Sequence, residues 1–76
     1  MSIFADRIKE CRRNMNKTQR DVAIDLGMSD SGYQNYELGN REPNYETTVK
    51  IADYFDVSID YLTGRTDKPD NPNVQK

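Results

Sequence analysis

Histidine and tryptophan are absent from this chain, and cysteine occurs once. Without histidine, neither a Ser-His nor a Cys-His nucleophile pair can be assembled. Metal-ligand spacings such as CxxC or HxxxH are missing. The four glycines, Gly27, Gly32, Gly39 and Gly64, match neither a phosphate-binding loop nor a dinucleotide fingerprint. Carboxylates are plentiful but lie among positive charges at helical spacing, as on a solvated helix face. No enzyme activity and no cofactor or metal site is therefore expected. No apolar run approaches the ~18 residues of a membrane span. The first ten residues already carry Asp6, Arg7, Lys9 and Glu10, so no signal peptide is read and the cytoplasm is the expected compartment. The single Cys11 sits on an apolar helical stripe and reads as a small core residue rather than a reactive thiol. At 76 residues, a fold buries only ~60% of the surface of the unfolded chain, which allows one modest core.

What is present is a helical pattern, clearest from Thr18 to Gly39: TQRDVAIDLGMSDSGYQNYELG. Thr18 is a good N-cap, and Asp21 three residues on can reach back in a capping box. Val22, Ala23 and Leu26 share one helical stripe, and Gly27 supplies the left-handed residue that ends the helix. Ser29 caps a second helix, about 29–38, whose inner positions are Tyr33 and Tyr36, before Leu38 and Gly39 close it. Two helices joined by a short turn containing glycine form a helix-turn-helix, whose second helix enters the major groove of DNA. A DNA-binding regulator is the reading that follows.

Three further helices are expected. The first spans roughly residues 3–15 with Phe4, Ile8, Cys11 and Met15 inward. The fourth follows Pro43, capped by Asn44, with Thr48, Ile51, Ala52 and Phe55 inward and Val49 beside them. Ser58 caps a short fifth helix, Ile59 to Thr63, which Gly64 stops. No strand signal or internal repeat is visible. The chain thus divides into an all-α domain, residues 1–64, and a polar tail, 65–76. That tail has too little apolar area to offset its ordering entropy and is expected to be mostly disordered.

Five helices so spaced resemble the lambda-repressor-like domains of phage repressors, Cro proteins and small bacterial regulators. The resemblance rests on RIKECRR, TQRDVA, DLGMS, YELGNREPNYET and KIADYFDVSIDYLTG, over about residues 3–64. It implies a compact five-helix DNA-binding domain with helices 2 and 3 as the helix-turn-helix. It places Gln19 where the family's glutamine binds a DNA phosphate, a site where free amides and the helix dipole favour an anion. Arg12 and Glu37 match a family ion pair joining helix 1 to the end of helix 3. Asn40 and Arg41 fall in the loop that follows the DNA backbone. Lys17 stands where the family has an aliphatic residue; its stem can cover the core edge while its ammonium, like Thr18 beside it, meets phosphate.

The exposed candidates for base reading are Asp30, Ser31, Gln34 and Asn35, which are also the family's reading positions. Asn and Gln can bond adenine bidentately, Ser several bases, and Asp cytosine N4. Asp30 has an equal alternative, since it also complements the dipole of the helix start. Gly32 weakens the helix relative to alanine and is read as allowing close approach of another backbone. The net charge of −2 argues against DNA binding, but its distribution does not. Residues 7–20 hold six cations against Glu10 alone, a net +5, whereas residues 42–76 carry −3.

The family's two-fold contact lies around helix 5. That implies dimerisation here through Val57, Ile59 and Tyr61, with Leu62 inward and Val57 and Ile59 as the exposed patch. The expected partner is double-stranded DNA bearing an inverted repeat, bound by a homodimer at least when on DNA. The whole reading is a sequence-specific transcriptional regulator, most simply a repressor. The alternative is a protein-interaction or antitoxin-like regulator on the same fold, which the acidic balance and Asp30 favour.

Overall fold

Every helix of the chain begins at a side chain that can cap it. The structure, a computed structural model, describes residues 2–70. It contains α1 (Ile3–Asn14), α2 (Gln19–Leu26), α3 (Asp30–Leu38), α4 (Tyr45–Phe55) and α5 (Ile59–Leu62). Ser2, Thr18, Ser29, Asn44 and Ser58 each accept a hydrogen bond from a backbone amide in the first turn that follows. Thr18 and Asp21 complete the capping box in both directions. At the other ends, Gly27 and Asp56 turn the chain with φ of 72° and 58°. Gly27 does so without strain, while Asp56 carries a Cβ into the left-handed region.

The core is formed by Ile8, Val22, Ala23, Leu26, Tyr33, Ile51, Ala52, Phe55, Val57 and Leu62. It lies where α1 packs on α3, α4 and α5, and α2 packs on α3 and α4. Lys50 of α4 reaches the C-terminal end of α2 and donates to the Leu26 carbonyl at 2.6 Å. That bond satisfies one of the carbonyls every helix end leaves open.

The structure departs from the expected inner stripes at three places. Met15 lies past the end of α1 and is 39% exposed, and Ala5 takes an inward position instead. Thr48 and Val49 are only half-buried. Val57, expected on the exposed dimer patch, is 6% exposed and belongs to the core. The cause is the left-handed turn at Asp56, which drops the following residue inward: the Val57 amide donates back to the Ala52 carbonyl at 2.9 Å. Leu62 is fully buried.

The segment after Gly64 does not leave the domain at once. Arg7 Nη1 donates to the Tyr61 carbonyl at 2.8 Å and to the Thr66 carbonyl at 2.7 Å. Its Nη2 meets Asp67 at 3.0 Å. The Ser58 amide donates to the Pro69 carbonyl at 3.0 Å. Residues 65–70 therefore run back along α1 and the start of α5, and the rest of the expected tail, 71–76, lies outside the described residues.

Candidate nucleic-acid interface

The exposed face of α3 is defined by which of its side chains the core has claimed. Tyr33 and Glu37 are buried and Tyr36 packs at the core edge. At 100° per residue, the opposite face carries Ser31, Gln34, Asn35 and Leu38, with Asp30 at the helix start. Asp30, Ser31 and Gln34 are exposed and Asn35 is half-buried. None of these four side chains makes a hydrogen bond among the described residues. Their donors and acceptors are free for a ligand. Asn40 and Arg41, on the loop after α3, are exposed as well.

A buried polar cluster fixes the far end of α3. Glu37 accepts from Arg12 Nε at 2.7 Å, from Arg12 Nη2 at 3.0 Å and from Gln19 Nε2 at 3.0 Å. Arg12 Nη1 also donates to the Lys17 carbonyl at 2.9 Å. One carboxylate, with its side chain 1% exposed, thus joins α1, the α1–α2 link, the N-terminus of α2 and the end of α3. Burial by itself would raise the Glu37 pKa. The bonds from Arg12 and Gln19 outweigh it and hold the group below its ordinary value. The Tyr33 hydroxyl is driven the other way, first by burial and then by the nearby carboxylate, yet it stands outside hydrogen-bonding geometry.

Gln19 therefore sits at the N-terminus of α2 as expected, but with one amide hydrogen directed inward. Thr18 accepts from the Asp21 amide at 3.0 Å and donates its own backbone N–H to Asp21 Oδ2.

One expectation meets a competing contact here and a second is corrected. The Lys17 ammonium pairs with Asp25 at 2.7 Å and lies 5.6 Å from the centre of the Tyr54 ring. Asp25 is seven residues past Thr18, about 10 Å along the axis. Its carboxylate, which also accepts from the Tyr54 hydroxyl, outcompetes solvent for the flexible lysine and raises the ammonium's pKa. Gly32 is not a point of approach for another backbone. A Cβ there would stand 2.9 Å from Ser29 Oγ and 3.4 Å from the Met28 methyl, so glycine makes room for the cap of its own helix.

The dimer patch is reduced in the same way. Val57 is buried, and the Tyr61 ring carries the Arg7 guanidinium 4.1 Å from its centre. Ile59, half-buried at the core edge, is what remains of the expected patch. Leu38 is the residue sequence reasoning passed over. It is 61% exposed and falls three, four and seven residues after Asn35, Gln34 and Ser31. That spacing was visible in the sequence.

A family model described as a helix-turn-helix domain matches residues 5–68. The chain belongs to the helix-turn-helix domain family. This agrees with the lambda-repressor-like resemblance, and the family match runs past Gly64 to take in Thr66 and Asp67, which Arg7 holds. The domain is 43% identical over 60 residues to the HTH-type transcriptional regulator YqaE of Bacillus subtilis, covering 79% of this chain and 52% of that protein. It is 41% identical over 69 residues to the CTXphi transcriptional repressor RstR of Vibrio cholerae, covering 91% and 62%. It is 36% identical over 59 residues to the HTH-type transcriptional regulator ImmR of B. subtilis, covering 78% and 46%. The chain thus spans roughly half the length of these relatives. Among the described residues, no helix is long and apolar enough to cross a membrane. No group of three or more His, Cys, Asp or Glu among them is placed to hold a metal ion.

Proposed function

We propose that this chain is a DNA-binding transcriptional regulator, acting as a repressor, that reads sequence with α3 in the major groove. The observation that carries the reading is a helix held at both ends, by the Ser29 cap and by the Glu37 cluster, whose outer face offers the unpartnered side chains of Asp30, Ser31, Gln34 and Asn35. Preorganised donors and acceptors of this kind match the base-edge pattern of the major groove. Thr18, Gln19, Asn40 and Arg41 flank that face and supply phosphate contacts, which position the protein without reading sequence. The relatives named as regulators and repressors support the same reading. Such a function places the protein in the cytoplasm with the DNA it binds.

A homodimer on an inverted repeat, half-site centres ~10–10.5 bp apart, is part of this proposal. Its contact runs through α5, with Ile59 as the apolar residue. The competing reading, a protein-interaction or antitoxin-like module, is favoured by one observation: α3 contains Asp30 and Glu37 but no Lys or Arg.

Selection of bound duplexes from a random pool by the purified protein at low salt separates the two readings. Enrichment of a palindromic consensus is expected. Asn35→Ala should relax one position of it by ~1–3 kcal/mol, and Ile59→Asp should weaken binding to the palindrome but not to one half-site. Failure to enrich any sequence overturns DNA reading, and equal affinity for half-site and palindrome overturns the dimer.

A further inference from the structure

Single exposed leucines are common on protein surfaces and by themselves mean nothing. Leu38 differs in its register. It continues the stripe of Ser31, Gln34 and Asn35, and with 61% of its surface exposed it is the one large aliphatic group on that face. Ile24 is as exposed, at 63%, but lies on α2 opposite the buried stripe of Val22 and Leu26. The reading face of α3 therefore ends in an apolar group, and no cation lies anywhere on the helix.

Every polar group on that stripe can bond a base edge, whereas a leucine can only be covered by something apolar. In the major groove the only apolar feature a base presents is the C5-methyl of thymine. We infer that Leu38 is a specificity-determining residue that packs on a thymine methyl in the major groove, an inference that rests on the DNA-reading function proposed above. Leu38 is seven residues beyond Ser31, about 10 Å along the helix axis. Arginine readout of guanine, the commonest specific contact, has no donor on this face. The half-site is accordingly read through adenine by Gln34 and Asn35 and through thymine by Leu38.

The test uses the full chain and the duplex it selects from a random pool. Each thymine is replaced in turn by deoxyuridine, which removes the methyl and leaves pairing intact. Wild type should lose affinity about three- to tenfold at one thymine per half-site, the effect of uncovering one methyl group. Leu38→Ala should bind the unmodified duplex more weakly by a similar factor and be indifferent to uracil at that position. Ile24→Ala should behave as wild type. Circular dichroism should show both variants folded, since both side chains are exposed. If no thymine is sensitive, or if Leu38→Ala keeps the wild-type sensitivity, the leucine contact is overturned while DNA reading stands. If wild type selects no sequence, the reading itself falls and the contact with it.

Discussion

Glu37 is the residue on which the positioning of α3 turns. It is acidic, almost fully enclosed, and satisfied by three hydrogen bonds from two other elements. Removing one partner of such a pair leaves the other charge buried and unmatched, at a cost of ~3–5 kcal/mol. Replacing the pair by apolar groups would cost far less, so the pair is better understood as fixing geometry than as adding stability. Its titration gives a signature. The Glu37 pKa is lowered in the folded state, so the unfolded chain takes up its proton first as pH falls. The stabilisation is then complete above the ordinary value of 4.5 and is lost as pH drops through the folded value. Asp21 and Asp25 are shifted in the same direction, so wild type alone cannot isolate Glu37. Glu37→Gln should be less stable than wild type by several kcal/mol at pH 7, with the gap narrowing below about pH 4.5. Denaturant unfolding at pH 7, 4 and 3 measures this, and a gap that is constant with pH would rule out the charged pair.

Helix ends are the elements most legible in the sequence. Four of the five N-caps, Thr18, Ser29, Asn44 and Ser58, were read from the sequence because Ser, Thr and Asn preceding an apolar stripe have a local, backbone-directed reason to be there; Ser2, at the start of α1, was not among them. The left-handed exit at Asp56 was not readable, since aspartate adopts positive φ only where the fold demands it. Its geometry is strained by roughly 1–2 kcal/mol relative to glycine, and its charge opposes the dipole at a helix C-terminus. Asp56→Gly should therefore raise stability by about 1 kcal/mol, allowing for the entropy glycine adds to the unfolded chain. In a domain of this size that is about 4–8 °C in melting temperature. A lower melting temperature would show that the Asp56 side chain itself is needed. The same turn explains why Val57 was misplaced: pattern reading continued the surface of α5 backwards, whereas the chain had already reversed into the core. On α3, Tyr33 and Tyr36 marked the inner side in the sequence, and of the expected base readers Asp30, Ser31 and Gln34 are exposed while Asn35 is half-buried. The sequence reading passed over Leu38, which a search for polar readers does not notice.

Across the whole molecule, charge is arranged less simply than a net +5 over residues 7–20 suggests. Three of the six cations are engaged: Arg7 with Asp67, Arg12 with Glu37 and Lys17 with Asp25. Lys9, Arg13 and Arg20 form no ion pair among the described residues, and neither does Arg41 on the loop after α3. The Arg12–Glu37 pair was expected from the family resemblance and is present, but nothing in the sequence paired Arg7 with Asp67, 60 residues away, or Lys17 with Asp25 on α2. On the proposed DNA-binding function, the unpaired positive charge is smaller than the net +5 suggests, and Arg41 is expected to contribute more than Lys17, which is paired with Asp25. Affinity measured across a salt series distinguishes the two. Each phosphate contact removed should flatten the slope of log K against log salt by about 0.9. Arg41→Gln should flatten it by that amount per protomer and leave the selected consensus unchanged, as a backbone contact does. Lys17→Gln should leave the slope as it is, because the ammonium is held by Asp25 on the far part of α2. If instead Lys17→Gln flattens the slope and Arg41→Gln does not, the lysine leaves its carboxylate for the DNA, and the sequence-based expectation is the right one.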